Sequence, residues 1–272
     1  MAEQKNGIGG LMKLATWRWG NPEGAPLICV HGVGGYHGNF ERVAKERWGE
    51  HFDIWSVDLR GHGDSGYEPP WTNSTYVDDL LETVDALGIE QAHWVGHSFG
   101  GRLVLELIAR NPERVARAAV TEPVIQISPE LAMHRAEQER LGGVWDSLEA
   151  FAASRENTGD VDPKKYLADL GDHFITTEDG RVRRRTNQAA IVAIFSEFAQ
   201  PAPPPDTITV PTLLLYSPEF GMVTPEHIAA YEPHVERVVP VPGMHAVFTT
   251  AYEETTTAIE QFLLDRTPHV TA

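Results

Sequence analysis

The run Gly96-His97-Ser98-Phe99-Gly100, with Gly101 behind it, constrains this chain more than any other feature. It is an instance of G-x-S-x-G set between two different patterns. Ala92-His93-Trp94-Val95 reads as a strand and leads in, and Arg102 to Arg110 reads as a helix and leads out. That context makes the run a nucleophile elbow. The turn is sharp and demands a strained backbone at Ser98. Gly96 and Gly100 lack the Cβ atoms that would clash there. The hydroxyl then stands above the end of the strand, and the backbone N–H groups at the helix start face any developing negative charge.

Three further motifs stand in order around it. Ala25 to Val30 is a buried-strand pattern that ends in His31-Gly32-Val33-Gly34-Gly35. Such a glycine-rich loop can bring a backbone N–H against a substrate oxygen. Ile54 to Val57 is followed by Asp58-Leu59-Arg60-Gly61-His62-Gly63-Asp64-Ser65, and Val238 to Pro242 by Gly243-Met244-His245. Strands and helices alternate from Leu27 to Asn111, with helices expected near 39–50, 75–87 and 101–111. This predicts a mostly parallel sheet covered on both faces. The alternation breaks over 127–205, which is polar and helical with scattered apolar anchors: Met133, Leu141, Val144, Trp145, Leu148, Phe151, Tyr166, Leu167 and Phe174. It closes on Pro201 and Pro203 to Pro205, a stiff connector. The expected division is a core of 1–126 and 206–272, with 127–205 as a helical cap over the edge where open α/β sheets bind ligands. The short basic run Arg181 to Arg185 reads as a solvated helix start.

At 272 residues the chain suffices for one core with an insertion. A formal charge of −17 argues against nucleic acid or anionic membranes as partners. The one cysteine, Cys29, reads as an inert core residue, and a single cysteine excludes an intrachain disulfide. No run reaches transmembrane length, and Met1 to Asn6 carry no apolar signal segment, so the cytoplasm is the expected location. The histidines are too scattered for a metal site, and no metal or cofactor is expected. Oligomeric state is not legible in the sequence.

In this order the motifs resemble the α/β-hydrolase family, from about Leu11 to Asp265. The resemblance implies Ser98 as nucleophile, His245 as base, and the N–H groups of Val33 and Phe99 as an oxyanion hole. It gives His31 the role of ordering the glycine-rich loop and makes 58–65 a structured turn. His97 reads as packing rather than a second base. Tyr36 and His37 either line the pocket or start a helix. Trp145 either shapes the pocket or forms the core of the cap. The family usually places its acid after the strand here written Leu213 to Tyr216, but Phe220 holds that position, with Glu219 beside it. A subset, including zearalenone-type lactone hydrolases, places the acid after the preceding strand. Glu122, in Thr121-Glu122-Pro123, stands there and is favoured, with Glu219 the alternative. The bland reading of Glu122 is a carboxylate paired with an Arg at the cap hinge.

The expected function is a cofactor-free serine hydrolase acting on an ester, a lactone among the options, with a largely apolar small-molecule substrate. The competing enzyme readings are hydrolysis of a carbon–carbon bond in a ring-cleavage product and perhydrolysis. The competing non-enzyme reading is a small-molecule receptor on the same fold.

Overall fold

The structure is a computed structural model that describes residues 11–156 and 173–264. The expected anchors Tyr166 and Leu167, and the N-terminal segment read for a signal, lie outside the described residues. The chain opens with β1 (Thr16–Gly20), β2 (Ala25–Val30), α1 (Glu41–Glu46), β3 (Phe52–Val57), α2 (Asn73–Ala86), β4 (Ala92–His97), α3 (Phe99–Arg110) and β5 (Val115–Thr121). An insert follows: α4 (Pro129–Leu141), β6 (Val144–Trp145), α5 (Leu148–Glu156), β7 (Phe174–Thr176), β8 (Val182–Arg184) and α6 (Gln188–Phe198). The first pattern then resumes with β9 (Thr212–Tyr216), α7 (Pro225–Tyr231), β10 (Arg237–Pro240), α8 (Val247–Thr250) and α9 (Tyr252–Leu264).

The large sheet runs β1-β3-β2-β4-β5-β9-β10. Only β1 is antiparallel to its neighbour; every other pair is parallel. Parallel strands covered on both faces must present apolar side chains both ways. Along β2, Leu27 and Cys29 join the layer of Val43, Trp48, Ile259 and Phe262, from α1 and the turn after it and from α9. Ile28 and Val30 join the opposite layer, with Tyr76 and Leu80 of α2 and Leu103 and Leu107 of α3. Cys29 is fully buried, and burial pushes its thiol far up from its ordinary range. The first helix spans 41–46, shorter than the expected 39–50, because a 3-10 turn at 48–50 follows it.

The insert differs from the all-helical expectation. It contains a three-stranded antiparallel sheet, β6-β8-β7, besides its helices. The basic run forms β8 rather than a helix start. Its arginines find partners on both sides of that strand: Arg184 pairs with Glu139, and Arg185 with Asp64. These pairings hold the run extended.

Several bonds tie the insert to the core. Arg102 of α3 is buried and donates to the carbonyls of Val124 and Ile125, where the chain leaves the core. The same guanidinium donates to Gln200 and Pro201, where the chain returns. Farther along, Asn187 N–H donates to Gly61 O at 2.7 Å and Gly63 N–H to Arg185 O at 2.7 Å.

Candidate active site

Ser98 caps the end of β4 at φ 56°, ψ −113°. The sharp turn can form because glycines stand two residues away on either side, at 96 and 100. A Cβ on Gly96 would strike the Gly100 carbonyl, and one on Gly100 would strike the Val30 carbonyl. Backbone bonds hold the strained residue: Ser98 N–H donates to Thr121 O at 2.9 Å, and Arg102 N–H to Ser98 O at 3.0 Å. Among the described residues only one other non-glycine has positive φ, Glu122 at 47°. Such strain persists where surrounding bonds over-determine it, and it clusters at functional sites.

The two strained residues are joined through His245. Its Nε2 lies 2.9 Å from Ser98 Oγ, and its Nδ1 lies 3.2 Å from Glu122 Oε2. Glu122 is fully buried. Its other oxygen accepts the Ser217 N–H at 2.5 Å, and its own N–H donates to Leu215 O at 2.7 Å. An ionised carboxylate only accepts hydrogen bonds. This arrangement therefore puts the His245 proton on Nδ1 and leaves Nε2 to accept from Ser98. Among the described residues Glu122 pairs with no arginine; Arg102, at the hinge, goes to the four carbonyls and to Glu106.

Further groups fix the imidazole. His97 Nε2–H donates to the His245 carbonyl at 2.8 Å. Burial and the neighbouring His245 push His97 down to about 3, so it is a neutral donor rather than a second base. Ser217 Oγ donates to Gly243 O at 2.5 Å, tying the end of β9 to the loop that carries His245.

Beside Ser98 lies a turn closed by Gly35 N–H donating to Gly32 O at 3.0 Å. Gly34 occupies its third place at φ +69°, which glycine adopts without cost. Among the described residues, neither the Val33 nor the Phe99 N–H is used in a hydrogen bond to another group. Phe99 begins α3, so its N–H points out of the positive end of that helix.

The family model for the alpha/beta hydrolase fold matches residues 25–162, just over half of the chain. Lipase LipV of Mycobacterium tuberculosis is 30% identical over 208 residues, covering 75% of this chain and 78% of the lipase. The chain belongs to the alpha/beta hydrolase fold family. Two solved structures show the same fold at lower identity. E-2-(acetamidomethylene)succinate hydrolase superposes with a TM-score of 0.82 at 22% identity, covering 93% of this chain and 95% of that one. The enol-lactonase of Burkholderia xenovorans LB400 gives 0.78 at 20% identity, covering 93% and 97%.

The other residues singled out in this alpha/beta hydrolase lie as follows. Glu219 is exposed and makes no hydrogen bond or ion pair with another described residue. Phe220 beside it stacks on His245, with ring centroids 4.8 Å apart. Tyr36 is buried and stacked on His173 at 4.6 Å. His37 starts a 3-10 turn, and its Nδ1 lies 3.0 Å from Asp58 Oδ1. Trp145 packs edge-on against Phe151 at 4.7 Å and near Phe174 at 6.5 Å, both within the insert. Among the described residues no three His, Cys, Asp or Glu side chains group as a metal site, and no helix is long and apolar enough to cross a membrane.

Sequence reading missed His173. It lies in the insert and reaches the Gly34 carbonyl at 2.6 Å. Its sequence neighbours carry no motif, so no local signal marked it.

Proposed function

We propose that this protein is a serine hydrolase that cleaves carboxylic esters, lactones among them, through an acyl-enzyme on Ser98. The observation that carries this reading is the unbroken hydrogen-bonded chain from Ser98 Oγ through His245 to Glu122. Two N–H groups that no other described residue uses, those of Val33 and Phe99, flank the serine. The names of the relatives, a lipase and an enol-lactonase, agree with it.

In this reading His245 Nε2 takes the Ser98 proton as Oγ attacks the carbonyl carbon. The carbonyl oxygen gains the negative charge and is met by the N–H groups of Val33 and Phe99. Glu122 stabilises the imidazolium across Nδ1–H. The imidazolium then returns its proton to the leaving alkoxide as the C–O bond breaks. In a lactone that alkoxide stays tethered to the acyl group. Water, deprotonated by the same Nε2, attacks the acyl-enzyme, and Ser98 leaves with the proton. Each step uses the chain's own side chains and backbone N–H groups together with water.

The insert over 127–205 serves in this reading as the cap above Ser98. Its mixed helices and small sheet, pinned at both hinges by Arg102, form a fixed wall rather than a freely swinging lid. The aromatic cluster of Trp145, Phe151 and Phe174 is the cap's own core.

The test is turnover of a panel of p-nitrophenyl esters, simple lactones and dienone acids by the wild type and by Ser98→Ala. The expected result is ester and lactone hydrolysis by the wild type, with loss on the order of 10⁶-fold in the variant. No turnover by the folded wild type would favour the receptor reading. Turnover confined to dienone acids would move the reaction to carbon–carbon cleavage.

A further inference from the structure

Three histidines hold the turn beside Ser98, and each fixes a different peptide. His31 Nδ1–H donates to Gly32 O at 2.7 Å, while its Nε2 accepts the Leu59 N–H at 3.0 Å. That fixes the Gly32–Val33 peptide. His62 Nε2 accepts the Gly34 N–H at 3.1 Å, while its Nδ1–H donates to Arg60 O at 3.1 Å. That fixes the Val33–Gly34 peptide. His173 Nε2–H donates to Gly34 O at 2.6 Å and fixes the Gly34–Gly35 peptide. Backbone groups occupy both nitrogens of His31 and His62, so these rings are not available to a metal.

His173 is the unusual member, because it comes from the insert. It is 2% exposed. Its Nδ1 has no hydrogen-bond partner among the described residues. The polar use of this buried ring is therefore the single bond to Gly34. Tyr36 stacks on one face, and Phe174 stands edge-on at 5.4 Å. Its carbonyl accepts the Arg185 N–H at 2.8 Å, next to the point where Arg185 O takes the Gly63 N–H. The residue is thus braced from the insert and the core together. Burial holds His31 and His173 near 3 and His62 near 4, which keeps all three neutral and the donor–acceptor pattern fixed.

The bonds run in series. His173 donates to Gly34 O. The same peptide carries the Gly35 N–H, which donates to Gly32 O. That peptide in turn carries the Val33 N–H. A hydrogen bond accepted at one end of a peptide polarises the donor at the other end, and chains of such bonds reinforce one another. A turn containing Gly32, Gly34 and Gly35 has little intrinsic resistance to peptide rotation. Its conformation is set from outside.

We propose that His173 is a positioning residue for the oxyanion site. It acts through the Gly34–Gly35 and Gly32–Val33 peptides to aim and polarise the Val33 N–H. The insert then supplies part of the transition-state geometry as well as a wall over the substrate. This inference rests on the reading of Ser98 as nucleophile and Val33 as oxyanion donor.

The test compares wild type, His173→Phe, His173→Gln and Ser98→Ala on p-nitrophenyl acetate. Each variant is also titrated with an aryl trifluoromethyl ketone, whose hemiketal places an oxyanion in the hole. His173→Phe keeps a flat ring against Tyr36 but has no donor. Its kcat should fall by about tenfold to a hundredfold, less than removing a hole donor outright. Its KM should stay within about twofold, because the interaction matters in the transition state. Affinity for the ketone should fall in step with kcat, and His173→Gln, which keeps an N–H, should recover part of both. A folded His173→Phe enzyme with unchanged kcat and ketone affinity overturns the relay. So does a change in KM alone. Should His173→Phe fail to fold, the wild type labelled with ¹⁵N-histidine decides. The relay requires the Nε2–H form of His173 and a shift of that proton when the ketone adduct forms. An Nδ1–H form, or no shift, overturns it. Ser98→Ala separates the two levels. If it retains turnover, the underlying serine reading fails. If it is inactive while the His173 variants match wild type, the relay alone fails.

Discussion

Phe220 stacks on the imidazole of His245, with ring centroids 4.8 Å apart and planes 27° from parallel. It does so from the position where most of the family carries its acid. The carboxylate within hydrogen-bond distance of Nδ1 is that of Glu122, just after β5. Ser217 ties the two parts together: its N–H holds Glu122 Oε1 and its hydroxyl holds the His245 loop.

Glu122→Gln should therefore lose roughly 10⁴-fold in turnover, the cost of an acid that no longer stabilises the imidazolium. Glu219→Gln should lose less than about tenfold, because Glu219 is exposed and touches nothing in the chain from Ser98 to Glu122. Both variants should be assayed side by side with folding checked by circular dichroism. The large loss in Glu219→Gln and the small one in Glu122→Gln would put the acid after β9.

Stability should fall steeply on acidification. Burial pushes six histidines below their ordinary value near 6.5: His31, His97 and His173 to about 3, His62 and His93 to about 4, and His227 in the same direction. The unfolded chain binds protons at these sites below pH 6.5, whereas the folded chain does not. Their contribution is thus complete above pH 6.5 and is lost as pH falls toward 4. Each site changes the unfolding free energy by up to about 1.4 kcal/mol per pH unit in that window. Urea unfolding between pH 7 and 5 should show uptake of several protons per molecule. Uptake below one would contradict the burial of these rings as neutral groups.

The elbow's strand–turn–helix and the alternation of strands and helices are legible because each depends on residues near one another in sequence. The strand β4 runs straight into Ser98, and β5 straight into Glu122. What was not legible depends on long-range pairing. His173 meets Gly34 across 139 positions. Arg181 to Arg185 looked like a solvated helix start because a run of arginines conceals the pairing that makes it extended. Glu139 and Asp64, which satisfy two of those arginines, are distant in the chain. From the sequence His97 reads as packing, and its donor role toward the His245 carbonyl needs the fold to appear.

The hinge clamp should be worth a measurable part of the stability. Arg102→Met removes the donors to four carbonyls and leaves part-buried acceptors unmatched, at a cost of roughly 2–4 kcal/mol. Arg102→Lys should recover little, since one ammonium cannot reproduce the planar fork. Urea midpoints at constant slope would measure both. A change below about 0.5 kcal/mol, the range usual for substitutions away from such features, would show that the clamp does not hold the insert.

Trp145→Ala should lower stability more than it alters substrate preference. The side chain packs on Phe151 and Phe174 while remaining partly exposed, so the loss should be about 1–3 kcal/mol, under the range for a fully buried aromatic. Thermal melting and relative rates on short and long acyl esters would separate the effects. Unchanged melting with reordered rates would assign Trp145 to the pocket.

The central claim is that Ser98 is the nucleophile, and the most direct measurement is covalent capture. The protein is treated with a p-nitrophenyl alkylphosphonate, then digested, and the modified peptide is located by mass spectrometry. The expected result is one phosphonyl group per chain on Ser98, release of one equivalent of p-nitrophenol, and no adduct in the folded Ser98→Ala variant. Modification at another residue, or no modification of the folded wild type, would contradict it.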